Sequence, residues 1–399
     1  MHPAIEPPSG RVTRRAGFLL LLTQALVSGV AIGVLVRASL PPDAYRKDLQ
    51  EEYLTARALR DGIDVFTPVN QLSARYFPVT TDNFPHASPH PPFLALAGVP
   101  FTLLPFPVLV VVWLAFNLLV LVVVGRWLGL SPLGSLALSA WPPVWFLLLI
   151  GQYELVLLAV AMLGWRAAAS GRDGRAGLWL GIAAAWKLYP ILFLVPFLVR
   201  RRWRIVASAA AVIVASQFGN LLAVGVSGTV KYYTVVLPEV SAFYTNAGLN
   251  SAPYGAMLRI FGGAKDVTPL IDAPGVVLPL TVCLSGLGLF ALIRLESEAA
   301  PAAVLVALPA VWYYYAVLEL PQLVTLIRSN RRCAGIALAA AVSVTPPLVR
   351  ILLERDGALP PGMALLLAIQ PAGFVALLLA LLKTSERSRR GSMPRAASM

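Results

Sequence analysis

Read for the alternation of apolar and polar residues, the chain resolves into long apolar runs separated by short basic loops and two longer polar stretches. The runs at 16–36, 107–125, 205–226, 276–293, 334–353 and 362–382 can each cross, or nearly cross, a hydrocarbon core roughly 30 Å thick. Shorter apolar segments lie at 93–106, 133–150 and 153–169. Two further stretches read as hairpins, because basic residues flank both of their ends. The first, 176–200, runs from Arg172 and Arg175 to Arg200, Arg201, Arg202 and Arg204, and turns at Trp186, Lys187 and Pro190. Its arms are each about 12 residues, roughly 18 Å of helix, well short of a full crossing. The second, 300–327, lies between Arg294 and the cluster Arg328, Arg331 and Arg332, with Trp312 and Glu319 near its bend. Lys187 then falls within the membrane's depth. A charge there costs on the order of 3 kcal/mol unless it is paired or lines a wet cavity, so an anion such as a lipid phosphate would satisfy it. Snorkelling to the outer surface is the alternative.

The polar stretch at 39–91 contains Asp43, Asp48, Glu51, Glu52, Asp61, Asp64 and Asp82 among the chain's 19 acidic residues. Within it, residues 48–62 predict a helix. Leu49, Tyr53, Ala56 and Leu59 recur at three- and four-residue steps and share one face, with Asp48, Glu51 and Glu52 towards another. The pattern predicts a helix lying flat on the bilayer with its acids facing water, and a solvated loop helix without chemistry has the same pattern. The prolines between Asn83 and Pro92 exclude helix and favour an extended path. The second polar stretch, 227–274, contains Asn250, Ser251, Tyr254 and Arg259. The order of basic loops places both stretches outside the cell. Three apolar segments nevertheless separate the first stretch from Gly151, which is also read as external. An even number of crossings requires either that 93–106 be a partial span or that 133–150 break at Pro142 and Pro143.

Composition narrows the class. With 58% hydrophobic and 13% charged residues, the chain is a polytopic membrane protein, with residues 1–382 as one domain and no room for a separate nucleotide-binding unit. The net charge of +13 sits in short loops and in the tail 383–399, which fits membrane topology rather than nucleic-acid binding. The tail reads as cytoplasmic and disordered. The first apolar run follows Arg11, Arg14 and Arg15 as in a signal peptide, but no clear small-residue cleavage site follows, so it is read as a retained span. Cys283 and Cys333 lie in or beside separate apolar runs and suggest no disulfide framework. His86 and His90 are four apart, but Pro89 removes the helical face that would make them joint metal ligands, so no metal site is predicted and metal dependence is left open. Nor is there a Gly-rich phosphate loop, a Ser-His-Asp set or a Cys-His cluster.

Several pieces in fixed order resemble glycosyltransferase family 87. They are the Asp-containing helix with Tyr53, Ala56, Leu59 and Gly62 in step, Pro91 and Pro92 before the next segment, GQYE at 151–154, the stretch from Gly177 to Pro190 with its Lys-x-x-Pro, and the basic run ending at Arg204. The resemblance implies a GT-C-like bundle of about 10–13 transmembrane or partial-span helices with an amphipathic first external loop. It also implies an enzyme of a bacterial cell membrane that takes a hexose, often mannose, from a polyprenyl-phosphate donor and transfers it to a lipid or cell-envelope glycan on the non-cytoplasmic face. No cofactor beyond that donor substrate is implied. Asp48 would be the general base, Lys187 and then Arg259 the cations for the donor phosphate. Glu51, Glu52, His90, Gln152, Glu154, Asn250, Tyr254, Tyr314 and Tyr315 are candidates for substrate contacts. The family commonly has Tyr where His90 or Phe66 stands, and His near the aromatic patch occupied here by Tyr314 and Tyr315. A transporter or flippase of lipid-linked sugars is the rival class, but it would spread ionisable residues through its spans. An inactive homologue acting as a membrane partner is the second.

Overall fold

The computed structural model describes residues 10–79, 84–265, 267–295, 297–329, 331–353 and 363–391. Asp82, Asn83, Arg395 and the rest of the tail beyond Gly391 lie outside the described residues. The described chain is helical, and its one pairing outside helices is an isolated bridge between Ala264 and Val267. In order, the helices that matter below are α1 (Gly10–Arg37), α2 (Gln50–Arg60), α3 (Val69–Tyr76), α4 (Phe93–Gly98), α5 (Phe106–Trp127), α6 (Pro132–Ala137), α7 (Pro142–Ile150), α8 (Glu154–Ala169), α9 (Asp173–Trp186), α10 (Val195–Val199), α11 (Trp203–Lys231), α12 (Leu237–Thr245), α13 (Pro253–Met257), α14 (Val277–Arg294), α15 (Ala300–Ala307), α16 (Leu320–Arg328), α17 (Arg332–Ser343), α18 (Pro346–Leu353) and α19 (Met363–Gly391). Five helical stretches among the described residues are long and apolar enough to cross a membrane, and a bent pair would make a sixth. This is an all-α polytopic membrane protein.

Prolines and glycines set the breaks. The segment at 93–106 is a short helix running into a 3₁₀ turn at Val99–Leu103, and 133–150 breaks before Pro142, with its two halves bent by 79°. The first hairpin is α9, an extended Lys187, a 3₁₀ turn at Tyr189–Leu194 and α10; the second is α15, a 3₁₀ turn at Tyr313–Glu319 and α16. Gly177 lets α9 approach α11 closely, since a Cβ there would stand 2.2 Å from the carbonyl of Ile205.

Three expectations need correcting. Residues 227–245 do not begin a loop: the helix continues through a kink at Gly225 and a π-helical turn at Tyr232–Val236 to Thr245. Residues 334–353 do not form one straight span, because the chain unwinds between Ser343 and Pro346. Residues 383–391, read as disordered tail, continue α19.

The acidic helix also sits differently from the flat, water-facing arrangement. Leu49, Tyr53, Leu54 and Ala58 pack with Val69, Leu72 and Phe77, and with Phe106, Leu109 and Val110 of α5. The Tyr53 hydroxyl donates to the Leu104 carbonyl at 3.0 Å, and Arg60 donates to the carbonyl of Thr102 at 3.1 Å. Held on that side, α2 turns Glu51 into the protein, where it is 3% exposed.

Candidate active site

Asp48 is placed by its backbone. The peptide N–H of Asp48 donates to the Ile150 carbonyl at 2.7 Å, and Lys47 Nζ donates to the Leu149 carbonyl at 2.5 Å. These are the free carbonyls at the end of α7, where a cation is also favoured by the helix dipole. Gly151 ends α7 with a φ of 81°, and a Cβ there would press to 3.2 Å from that of Leu49. A side chain at 151 would therefore strain the turn and push the acidic loop away. Trp113 Nε1 donates to the Gly151 carbonyl at 2.8 Å and fixes the turn from α5.

That turn delivers three successive side chains into one buried polar cluster. Gln152 Nε2 donates to Asp48 Oδ2 at 2.9 Å. The Tyr153 ring lies 5.3 Å from His90 and 5.5 Å from Trp186. Glu154 is fully buried at the first position of α8 and pairs with Lys187. Lys187 in turn faces the Tyr315 hydroxyl at 3.3 Å and lies over the rings of Tyr153 (4.6 Å) and Tyr315 (4.9 Å). Opposite, His90 Nδ1 lies 2.8 Å from Glu52 Oε1 and 3.8 Å from Glu51 Oε2, and the Tyr244 hydroxyl is within hydrogen-bonding reach of Glu51. Asp48 is half-buried. Burial raises its carboxyl to about 7, with Glu52 and Glu154 adding to the rise and the Gln152 hydrogen bond and Lys187 opposing it. Burial likewise raises Glu51 well above the usual carboxylate range, reinforced by Glu52 and Asp48. Burial lowers Lys47 to about 8, with Asp43 and Asp48 opposing.

Most of the predicted candidates thus meet: Asp48, Glu51, Glu52, His90, Gln152, Glu154, Lys187 and Tyr315 belong to this cluster, and Tyr314 meets Tyr315 edge-on with centroids 5.3 Å apart. Arg259 and Asn250 meet each other elsewhere. The Arg259 guanidinium is wholly enclosed and donates to the carbonyls of Gly248 (3.1 Å), Asn250 (2.6 Å) and Leu367 (3.0 Å), and burial is what acts on its charge. The Asn250 side chain donates to the carbonyls of Thr245 and Pro309 and accepts from the N–H groups of Ala252 and Val311. Tyr254 packs on the main apolar core. These three hold the chain's path, and the structure does not bring Arg259 to Lys187. An open groove of about 450 Å³ lies at the far end of α2, between Phe66 and Lys231, and none of the candidates lines it.

Sequence reasoning missed Lys47, Tyr153, Tyr189 and Tyr244. The first is next to Asp48 and the second sits inside the GQYE motif, so adjacency was a usable signal for both. Tyr189 stacks on Tyr315 at 5.1 Å, a contact between two hairpins far apart in the chain. Tyr244 was hidden because its segment read as a loop. Among the described residues, four buried polar atoms of this cluster have no hydrogen-bond partner: Gln152 Oε1, Tyr153 OH, Glu154 Oε2 and Tyr189 OH. Such atoms are costly to bury unsatisfied, and a polyhydroxylated ligand would satisfy them. No group of three or more His, Cys, Asp or Glu among the described residues is arranged to hold a metal ion.

Comparison with known proteins bears on the family. The chain is 29% identical over 280 residues to the polyprenol-phosphate-mannose-dependent alpha-(1-2)-phosphatidylinositol pentamannoside mannosyltransferase of Mycolicibacterium smegmatis; the alignment covers 67% of the chain and 64% of that relative. No solved structure matches. Residues 89–321 match glycosyltransferase family 87, a region that includes His90, the GQYE turn, Lys187 and Tyr315 but begins after the acidic helix. With more than half of its length matched, the chain belongs to glycosyltransferase family 87.

Proposed function

We propose that the protein transfers a hexose, taken to be mannose from the relative's donor, from a polyprenyl-phosphate carrier to a hydroxyl of a lipid or envelope-glycan acceptor on the non-cytoplasmic face. The observation that carries this reading is the meeting of a half-buried Asp48 carboxyl and a buried Lys187 ammonium in one cluster that contains unsatisfied buried polar atoms. In the reaction, the acceptor oxygen attacks the anomeric carbon while the bond from that carbon to the phosphate oxygen breaks. The bonding electron pair leaves with the phosphate, giving polyprenyl monophosphate, and the acceptor proton passes to Asp48. A sugar hydroxyl is a weak nucleophile at neutral pH, and a carboxylate raised to about 7 is matched to accept its proton. Lys187 faces the growing charge on the leaving phosphate in a space shielded from water, where one ammonium stabilises more than it would in bulk.

Gln152 orients the base, and the aromatic walls from Tyr153, Trp186 and Tyr315 offer apolar faces for a sugar ring. The rim made by Glu51, Glu52, His90 and Tyr244 is assigned to the acceptor, because it lies on the Asp48 side of the cluster. The test is transfer of label from a short-chain polyprenyl-phosphate mannose to phosphatidylinositol mannosides, using membranes containing the wild type or Asp48→Asn. Transfer by the wild type that disappears in a well-expressed variant supports the reading. Equal transfer by both removes Asp48 from the mechanism, and absence of transfer across several donors and acceptors removes the activity.

A further inference from the structure

The pairing of Lys187 with Glu154 has a consequence for the leaving group, and it rests on the reading of Lys187 as the phosphate's cation. The ammonium is neutralised by Glu154 and touched by the Tyr315 hydroxyl. The second oxygen of Glu154 is buried without a partner among the described residues. Its carboxylate also occupies the N-terminal position of the 16-residue α8, where the helix dipole favours a negative charge independently of Lys187. The carboxylate is thus held beside Lys187 from the N-terminus of α8. The pair together carries no net charge, so the site meets an anion with one cation and one fixed anion a few ångströms apart.

Donor and product differ in charge. The sugar donor is a phosphodiester with a single negative charge, whereas the polyprenyl phosphate left after transfer is a monoester carrying about −1.5 to −2 at neutral pH. Coulomb repulsion scales with ligand charge, so a fixed carboxylate beside the phosphate disfavours the product more than the donor. We infer that Glu154 is a specificity residue that discriminates the phosphodiester donor from the phosphomonoester product and so drives the spent carrier out of the site. Lys187 alone would do the reverse, holding the more highly charged product more tightly.

The test compares two probes that differ only in this charge: a short-chain polyprenyl monophosphate and its methyl diester. Binding to the detergent-solubilised full-length protein is measured by titration calorimetry for the wild type, Glu154→Gln and Lys187→Gln. At pH 7.5, Glu154→Gln should tighten the monoester at least about tenfold more than the diester, since removing a charge in a low-dielectric site changes the dianion's energy by more than the monoanion's. An unchanged ratio of the two dissociation constants overturns the inference. Unaltered binding of both probes by Lys187→Gln overturns the placement of the phosphate itself, and with it the proposed function as well.

Because Glu154→Gln leaves a buried ammonium unpaired and could compromise folding, a measurement on the wild type alone stands beside it. At pH 8 the wild type should bind the monoester no more than about tenfold more tightly than the diester, because Glu154 offsets most of the attraction of Lys187 for the second charge. A monoester bound more than about tenfold more tightly than the diester identifies a net cationic site and contradicts the inference.

Discussion

Two of the buried polar clusters among the described residues differ in how completely their hydrogen bonds close. Around Asn250 and Arg259 the circuit is nearly shut: the Asn250 amide makes four hydrogen bonds, and the Arg259 guanidinium holds three carbonyls drawn from the loop after α12 and from α19. Around Asp48 and Lys187 the circuit is open, with four buried polar atoms lacking a partner among the described residues, Glu51 and Glu52 on the first turn of α2, and Asp48 just before that helix rather than inside it. The first arrangement specifies a chain path. The second holds bonding capacity that folding does not use, and retaining it is destabilising, which is the mark of a site arranged for a ligand.

The difference can be broken by substitution. Asp48→Asn should abolish transfer, by a factor on the order of 10²–10⁴, because it removes the proton acceptor while leaving the shape intact; melting temperature and transfer of label, measured on the same preparation, separate chemistry from folding. Arg259→Met should do the opposite, lowering stability by about 2–4 kcal/mol through three abandoned carbonyls, with turnover per folded molecule retained. If Arg259→Met is folded and inactive, the boundary drawn between clamp and site is wrong.

Smaller effects sharpen the same contrast. Gln152→Ala removes a donor that favours the ionised form of Asp48, so the acid limb of the pH–rate profile should move to higher pH, with about a tenfold loss of rate at neutral pH. A limb that stays in place would make Gln152 a substrate contact rather than a partner of the base. The least effect is on stability. A carboxyl raised by burial from 3.8 to about 7 favours the folded state while protonated, so its contribution declines as pH rises through that window. The wild type should lose melting temperature between pH 4 and 7, and Asp48→Asn should lose less, by roughly 2–4 °C. Parallel slopes would place the Asp48 carboxyl in water.

Much of the architecture was legible because apolar length, basic loops and prolines act locally. Pro142 announced a break and Lys187 announced a turn at depth. The π-turn and kink that carry α11 into α12 were not legible, since nothing local to Lys231 or Tyr232 distinguishes a helix leaving the membrane from a loop. Within the site, the buried turn pointed to Lys187 and the family resemblance to Asp48 and Gln152, but Arg259 stood second to Lys187 as a phosphate ligand. What separates them is which carbonyls close around the guanidinium, and those come from residues as distant as Leu367. The orientation of α2 was misread for a related reason: its apolar stripe finds α5 rather than lipid, and this turns Glu51 inwards.

If Asp48 accepts the acceptor's proton inside the protein, the pH dependence of kcat/KM for the wild type carries its signature. Transfer should fall tenfold per pH unit on an acid limb centred near 7, the value burial imposes on this carboxyl. An acid limb near 4, or none, would mean that the base is exposed to water or is another group, and would contradict the account.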